Sequence, residues 1–274
     1  MVKKDTNLPK DLFNRYGLSP QKSLGQNFLT DSQILSRISS AADLNPEDNI
    51  LEIGPGLGAL TKQLAPYVKR IVAIEIDDRL FPILKDQLVG YENVELVHAD
   101  ILKMEPADFF DSAYKVVANV PYYITGAILR HILSSNLKPA IMVLTVQQEV
   151  AERLAAHPGQ MSILSTTVQM YAKVEVLFKI KAGAFWPRPD VDSAVVLLSL
   201  YEKSIVHSAD EQAFIRLVKL GFSQKRKQLQ NNLRALGYSR QELMSHLAQV
   251  GIDGRRRAET LSVEEWLDIY HALS

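Results

Sequence analysis

Five short apolar segments that alternate with amphipathic segments constrain the fold of this chain more than any other feature. Each apolar segment has the length of a buried strand, and the five are NILEIG (49–54), IVAIEI (71–76), VELVHAD (94–100), KVVANV (115–120) and AIMVLTV (140–146). The stretches between them, such as GALTKQLAPYV and RLFPILKDQLV, carry apolar residues at helical spacing. This alternation predicts an α/β fold with a doubly wound, parallel sheet and helices on both of its faces.

The pattern changes after residue 146. QQEVAERLAA (147–156) is typical of a helix, MSILSTTVQMYAKVEVLFKI (161–180) of a helix or extended segment passing into a strand, and DSAVVLLSLY (192–201) of a last strand. From about residue 204 onward the chain is predicted to be helical throughout. We therefore predict a domain of residues 1–204 and a small helical domain of residues 205–274.

Composition excludes several classes of protein. The chain of 274 residues has a formal net charge of zero, so attraction to a polyanion must come from a local patch. It contains no cysteine, and its six histidines are scattered without metal-ligand spacing, so we expect no metal site. The first residues lack the apolar core of a signal peptide and no apolar run is long enough to cross a bilayer, so we expect a cytoplasmic protein without a membrane partner.

A nucleotide site is predicted where the first three strands end. Gly54, Gly56 and Gly58 follow the first strand, where a backbone without Cβ atoms can approach a ligand. The alternative, a tight turn that binds nothing, stays open for the glycines alone. Glu75 and Asp100 end the next two strands, and each taken singly fits a helix N-cap or turn acid as well as a ligand contact. Because the carboxyl ends of parallel strands meet at one edge, the set favours an adenosine-type cofactor.

The fourth strand ends in Asn119-Val120-Pro121-Tyr122, a motif suited to a flat substrate with an amino group. The Asn119 side-chain oxygen and the Val120 carbonyl can both accept hydrogen bonds from an exocyclic amine, and Pro121 fixes the backbone that carries that carbonyl. Tyr122 offers a ring on which a purine can stack. Taken by itself, the motif favours a strand terminator with buried tyrosines; its position beside the predicted nucleotide site favours the chemical role instead.

Basic residues are concentrated in the predicted helical domain. No acidic residue occurs between Gln212 and Gln241, and this stretch contains Lys225, Arg226 and Lys227; Arg255 and Arg256 follow in GRRR. Such a run is usually a solvated helix face, but beside an adenine site it indicates a phosphate-binding surface. Further lysines and arginines near the N-terminus are candidates for the same surface: Lys3, Lys4, Lys10, Arg15 and Lys22.

Seven motifs in a fixed order carry a family resemblance. They are LGQNFL (24–29), LEIGPGLGALT (51–61), AIEID (73–77), HADIL (98–102), NVPYYIT (119–125), FWPRPDVDSAV (185–195) and FSQKRKQLQNNL (222–233). Together they resemble the rRNA adenine N6-dimethyltransferase family, and SLGQNFL with the basic FSQKRKQLQNNL is closer to its small-subunit enzymes than to its erythromycin-resistance branch. The resemblance implies a Rossmann-like methyltransferase fold, S-adenosylmethionine as cofactor and 16S rRNA in the small ribosomal subunit as substrate. We expect the enzyme to act as a monomer.

The resemblance also implies roles for single residues. It places Asn119, Val120, Pro121, Tyr122 and Phe185 at the target adenine, and it implies cofactor contacts at Asn27, Leu29, Gly54, Glu75, Asp100 and Asn119; Gly56 is added from the glycine turn. For Phe185, core packing is an equal alternative to stacking. The second position of the motif is Val120 where the family often has Leu, which matters little because this position contributes its backbone.

The implied reaction is dimethylation of two adjacent adenosines in the loop of the 3′-terminal helix of small-subunit rRNA, late in subunit assembly. One alternative is an adenine methyltransferase of DNA or of large-subunit rRNA that uses the same crevice. A second alternative is an assembly factor that binds ribosomal RNA without catalysis. The complete Asn119–Tyr122 motif argues for chemistry.

Overall fold

In the computed structural model, which describes residues 8–274, a seven-stranded sheet confirms the predicted α/β fold. Its strands occur in the order β4-β3-β2-β5-β6-β9-β7. Their bounds are β2 (Asn49–Ile53), β3 (Arg70–Glu75), β4 (Val94–His98), β5 (Lys115–Asn119), β6 (Ile141–Gln147), β7 (Ala172–Ile180) and β9 (Ser193–Leu200). Two further strands, β1 (Phe28–Leu29) and β8 (Phe185–Trp186), form a small antiparallel sheet of their own.

The direction in which the sheet is built reverses at β2. The chain runs outward from β2 through β3 to β4, then returns to place β5 on the other side of β2, and all four of these pairings along β4-β3-β2-β5-β6 are parallel. β9 pairs antiparallel with β6. A reversal of this kind opens a crevice at the carboxyl ends of the two strands that flank it, here β2 and β5, and such crevices are where open α/β sheets bind ligands.

Contacts divide the chain into two compact units. Within the described residues, the first, the sheet unit, consists of residues 8–151 and 175–199; the second, the helical unit, consists of residues 152–174 and 200–274. Residues 152–174 thus group with the C-terminal helices, whereas the boundary predicted near residue 204 assigns them to the first domain. The functional division into domains stays a prediction.

Helices of the sheet unit cover the apolar strands. They are α1 (Pro9–Arg15), α2 (Ser32–Ala41), α3 (Ala59–Leu64), α4 (Phe81–Gln87), α5 (Thr125–Ser134) and α6 (Gln148–Leu154), whose last residues enter the helical unit. The central strands are fully buried, as at Ile50, Leu51, Val116 and Val117. Helix α2 begins after Asp31, whose carboxylate accepts the Gln33 and Ile34 backbone N–H groups at 2.9 and 3.1 Å.

The helical unit contains α7 (Ile163–Gln169), α8 (Glu211–Gly221), α9 (Leu229–Asn232), α10 (Arg240–Gln249) and α11 (Val263–Ala272). Its centre is Trp266, which is fully buried. A Cβ atom at Gly221 would lie only 2.1 Å from the Trp266 ring, so glycine is required where α8 crosses α11. Ser239 and Ser262 begin α10 and α11 with reciprocal capping boxes. Helix α9 is a single turn, and a 3₁₀ turn (Leu233–Leu236) follows it and ends before Gly237.

Two kinds of feature, membrane-spanning helices and metal-binding clusters, are absent from residues 8–274. None of their helices combines the length and the apolar character that a membrane span requires. No group of three or more His, Asp or Glu side chains among them is arranged to hold a metal ion.

Candidate active site

A cavity of about 220 Å³ lies in the sheet unit at the carboxyl ends of β2, β3 and β5. Its wall is built from five stretches of chain that are far apart in sequence: residues 24–30, 52–57, 74–76, 99–101 and 119–124. The topology described above is what brings them together, because parallel strands deliver their following loops to one edge. The wall contains ten of the eleven residues predicted to contact the cofactor or the adenine; the eleventh is Phe185.

The turn after β2 keeps its backbone open toward the cavity. Gly54 and Gly56 line the wall and have left-handed backbones, with φ of +69° and +60°. A Cβ atom at Gly56 would stand 3.0 Å from the ring of Phe28, so this turn has no room for a side chain. Gly58 serves a different purpose, since it packs against Leu84 and Leu88 and does not line the cavity.

Glu75 closes the next side of the cavity at the end of β3. It is 5% exposed, and its carboxylate accepts the backbone N–H of Gly56 at 3.1 Å and that of Asp77 at 3.0 Å. Burial raises the pKa of Glu75, while these two hydrogen bonds oppose the rise. The acid therefore ties the glycine turn to β3, and each carboxylate oxygen retains a lone pair for a ligand hydroxyl.

Asp100 caps a turn after β4 and also lines the cavity. Its side chain caps a 3₁₀ turn by accepting the Leu102 backbone N–H at 3.1 Å, and it lies 3.9 Å from the Lys103 ammonium group. It also lines the cavity, with 28% of the side chain exposed. The capping bond uses one carboxylate oxygen, so Oδ2 remains able to accept a ligand donor.

Asn119 lines the cavity and has an unused acceptor among the described residues. Its Nδ2 donates to the backbone carbonyl of Asn27 at 3.1 Å, and because a carbonyl only accepts, this bond fixes which end of the amide is nitrogen. Oδ1 is buried and has no hydrogen-bond partner among the described residues. A buried polar atom without a partner is costly, so the position is suited to a ligand that donates a hydrogen bond to it.

The rest of the motif holds Asn119 and the mouth of the cavity rigid. Val120 is buried, and Pro121 is extended with φ −60° and ψ 128°. The Tyr122 hydroxyl lies 2.6 Å from the Ser193 hydroxyl at the start of β9, which positions the ring. Burial raises the pKa of Tyr122, so the ring stays a neutral phenol.

A segment that we call the strap, residues 24–30, forms another part of the wall. Asn27 receives the Asn119 bond described above and donates its own Nδ2 to the Gly25 carbonyl at 3.0 Å. Leu29 lines the cavity from β1. Gln26 donates to the buried carboxylate of Asp77 at 2.7 Å. Sequence reasoning missed Gln26, although it stands beside Asn27 in LGQNFL.

Asp77 anchors the strap to β3 and was also missed, although it follows Glu75 by two residues. Arg79 binds its carboxylate through both Nε, at 2.8 Å, and Nη2, at 2.6 Å. Burial acts to raise the pKa of Asp77, but the hydrogen bonds from Arg79 and Gln26 outweigh it and hold the pKa below its usual value. The carboxylate is therefore charged and fixed.

Glu52 is a second wall residue, after Gln26, that sequence reasoning missed. It lies within β2, is 1% exposed, and its Oε2 has no hydrogen-bond partner among the described residues. Burial raises the pKa of Glu52 to about 8, and a hydrogen bond from Thr61 opposes the rise. The side chain is therefore mostly neutral at pH 7. An acidic residue inside an apolar strand was the available signal.

Phe185 does not line the cavity. It is 4% exposed, pairs with Leu29 between β8 and β1, and belongs to the apolar core that includes Leu35 and Ile38. Its ring is therefore used by core packing, the alternative that the sequence left open. A direct stacking wall for a substrate needs a ring with a free face, which this position lacks.

The predicted RNA-binding residues fall into two groups within the helical unit. Lys225, Arg226 and Lys227 are exposed in the loop between α8 and α9, and they form no ion pair within residues 8–274. Arg255 is held by Asp253 at 2.9 Å. Arg256 is half-buried, with its guanidinium bound to both carboxylate oxygens of Glu265 and to Thr260.

The carboxylate partners of Arg255 and Arg256 would compete with RNA phosphates for these two guanidinium groups, and the role of both residues in RNA binding stays a prediction. Near the N-terminus, Lys3 and Lys4 lie outside the described residues, and Arg15 is 4.0 Å from Asp86.

The chain is similar to several known proteins. A family model described as ribosomal RNA adenine dimethylase matches residues 17–274. The chain is 44% identical over 260 residues to ribosomal RNA small subunit methyltransferase A of Dehalococcoides mccartyi strain CBDB1, a match that covers 94% of this chain and 89% of that protein. The fold resembles that of the 23S rRNA methyltransferase ErmE, with a TM-score of 0.74, 30% identity and coverage of 90% of this chain and 99% of the other. It also resembles a dimethyladenosine transferase from Plasmodium falciparum, with a TM-score of 0.77, 28% identity and coverage of 88% and 95%.

Proposed function

This chain belongs to the ribosomal RNA adenine dimethylase family, whose members are methyltransferases, and from that premise we propose that it dimethylates N6 of two adjacent adenosines in the 3′-terminal hairpin loop of 16S rRNA. The choice of the small subunit is supported by the 44% identical relative, which is named for that subunit. The proposed reaction occurs late in subunit assembly, when the 3′-terminal helix has formed.

The cavity wall fits S-adenosylmethionine, the methyl donor that the family implies. Gly54 and Gly56 offer backbone without Cβ atoms, Glu75 and Asp100 offer free carboxylate lone pairs for donors of the nucleoside, and Asn27 and Leu29 form the strap side. When bound, this cofactor supplies a methyl carbon already activated by a positively charged sulfur. The protein is left with the tasks of positioning and electrostatic tuning.

The observation that carries the proposal is the buried Oδ1 of Asn119, which has no hydrogen-bond partner within residues 8–274. The N6 amine of adenine is a poor nucleophile because its lone pair is delocalised into the ring. We propose that Oδ1 and the Val120 carbonyl accept its two N–H bonds, which directs the lone pair toward the methyl carbon. Gly54, Glu75 and Asp100 would hold S-adenosylmethionine, which supplies the methyl carbon and keeps the electrons of its carbon–sulfur bond. The N6 amine held by Asn119 would release its surplus proton to water.

Access to N6 requires that the adenosine leave its stack and enter the cavity mouth, as base-modifying enzymes require. Tyr122, fixed by Ser193, is placed to stack on the inserted ring. After the first methyl is added, N6 keeps a single N–H bond, so one of the two acceptors suffices in the second round. Asn119 then positions the monomethylated amine for the second transfer.

We further propose that Lys225, Arg226 and Lys227 bind rRNA phosphates. Their support is that all three are exposed and carry no ion pair within the described residues, whereas Arg255 and Arg256 have carboxylate partners. Each phosphate contact would release condensed counterions and make binding dependent on salt. The charges would therefore supply affinity, while the cavity supplies base selectivity.

Transfer of labelled methyl groups tests the proposal. Small subunits that lack dimethyladenosine, large subunits and duplex DNA are each incubated with the protein and labelled S-adenosylmethionine, and the products are digested to nucleosides. The proposal predicts label in N6,N6-dimethyladenosine from small subunits. Label confined to large-subunit RNA would assign the chain to the other branch of the family, and salt-sensitive binding without transfer would make it an assembly factor.

A further inference from the structure

Tyr123 is a second aromatic residue at the cavity mouth, and the mechanism above leaves it unused. The aromatic residues that line the cavity within residues 8–274 are Phe28, Tyr122 and Tyr123. Phe28 is buried and Tyr122 is largely covered, whereas Tyr123 is 56% exposed. An exposed aromatic ring is unremarkable on most surfaces, but this one belongs to the rim of the cavity and directly follows the residue placed to stack on the target base.

The inner side of the Tyr123 ring is fixed by the strap. Gly25 has a left-handed backbone, with φ +59°, and a Cβ atom added there would stand 3.1 Å from Cδ1 and 3.5 Å from Cε1 of Tyr123. The ring therefore packs directly on the peptide backbone at Gly25. A ring supported on one side and open to solvent on the other is preorganised for a flat ligand, because little side-chain entropy remains to be lost on binding.

An adenosine that enters the cavity leaves its neighbour in the RNA with an unstacked face. Single-stranded nucleotides are commonly recognised by aromatic side chains that replace this lost stacking. We propose that the exposed side of Tyr123 stacks on the base adjacent to the target adenosine, while the target itself occupies the cavity. This inference rests on the proposed function and makes Tyr123 a positioning residue for the RNA rather than for the cofactor.

The test compares Tyr123→Ala and Tyr123→Phe with the wild-type chain on small subunits that lack the modification. Loss of one base–aromatic stack predicts a rise in KM for the subunit of about tenfold for Tyr123→Ala, whereas Tyr123→Phe, which keeps the ring, should stay within about twofold of wild type. Binding of S-adenosylhomocysteine to the free protein is measured for all three, which separates a loss of RNA affinity from a loss of cofactor affinity. Tyr67→Ala is the matched control, since Tyr67 is 59% exposed and precedes the amino end of β3, opposite the cavity.

Three results would overturn the inference. An unchanged KM for small subunits in Tyr123→Ala would show that the ring contributes no stacking. A loss confined to S-adenosylhomocysteine affinity would make Tyr123 part of the strap that holds the cofactor. A defect in Tyr123→Phe equal to that of Tyr123→Ala would assign the effect to the hydroxyl. Wild-type transfer is measured in the same series, so an inactive wild-type chain would instead overturn the proposed function, and the inference with it.

Discussion

The stability of this chain should depend on the ionisation of Glu52, and a single conservative change isolates that dependence. Glu52 is 1% exposed within β2, and burial raises its pKa from an ordinary value of 4.5 to about 8. The unfolded chain exposes the same carboxyl to water, where it ionises normally. Between pH 4.5 and 8, the folded chain therefore retains a proton that the unfolded chain has lost, and the folded state loses stability as pH rises through this window.

The size of the effect follows from the difference between the two pKa values. At about 1.4 kcal/mol per pH unit, the whole window is worth about 5 kcal/mol, and the part between pH 5.5 and 8 is worth about 3 kcal/mol. Glu52→Gln replaces the carboxyl by a neutral amide of the same shape, which does not titrate. The variant should therefore gain about 3 kcal/mol in free energy of unfolding relative to wild type between pH 5.5 and 8.

Urea unfolding of both proteins at pH 5.5, 6.5, 7.5 and 8.0 measures this change. The comparison is made between the two proteins at each pH, so the titration of all other groups cancels. Glu92→Gln serves as the control, because Glu92 is exposed and its replacement should leave a difference that does not vary with pH. A difference between wild type and Glu52→Gln that stays constant across the series would refute the reasoning and show that Glu52 is ionised in the folded chain.

Three further predictions concern the site and the RNA surface. Asn119→Ala should reduce methyl transfer by at least about 100-fold, with binding of small subunits retained; transfer at the wild-type rate would remove Asn119 from the chemistry. Gly56→Ala should weaken binding of S-adenosylhomocysteine, measured by calorimetry, and lower the free energy of unfolding by about 1–2 kcal/mol, measured in urea. The reason is that the Gly56 backbone is left-handed and the added Cβ would stand 3.0 Å from the Phe28 ring. Wild-type values of both quantities would contradict the tight turn. Replacing Lys225, Arg226 and Lys227 together by Ala should weaken RNA binding and reduce the slope of log K against log salt concentration by about 2. The matched change Arg255→Ala should leave this slope nearly unchanged.

The strands were predictable because burial on both faces leaves a strong pattern in the sequence. All five apolar segments from NILEIG to AIMVLTV contain strands of the sheet, from β2 to β6. The order of the strands was not predictable in this way. The placement of β5 beside β2 depends on long-range pairing, which hydrophobic periodicity does not indicate. Helix starts were also ambiguous: Thr30 and Asp31 are both common N-cap residue types, and the capping bonds of α2 come from Asp31.

The site was predictable to the extent that it consists of strand ends. Gly54, Glu75, Asp100 and Asn119 meet at one edge because parallel strands oblige them to do so. The strap contact between Gln26 and Asp77 joins residues 51 positions apart, and no local sequence pattern predicts it. The burial of Phe185 was unpredictable for the same reason, because it results from the long-range pairing of β8 with β1.

Charge was the least predictable property. Arg256 and Lys227 both lie in basic runs of the sequence. In the structure, however, both carboxylate oxygens of Glu265 bind the Arg256 guanidinium, whereas Lys227 is exposed. A run of basic residues in the sequence therefore does not identify a binding surface until the ion-pair partners of those residues are known. Glu52 shows the converse, because burial leaves a nominal anion mostly neutral at pH 7.

The most direct measurement of the central claim is the position and identity of the product on the natural substrate. Small subunits that lack the modification are methylated by the purified protein, and the 16S rRNA is mapped by mass spectrometry of nuclease fragments. The account predicts N6,N6-dimethyladenosine at two adjacent adenosines of the 3′-terminal hairpin loop and at no other site. Methyl groups at a single adenosine, on another atom, or elsewhere in the RNA would contradict it.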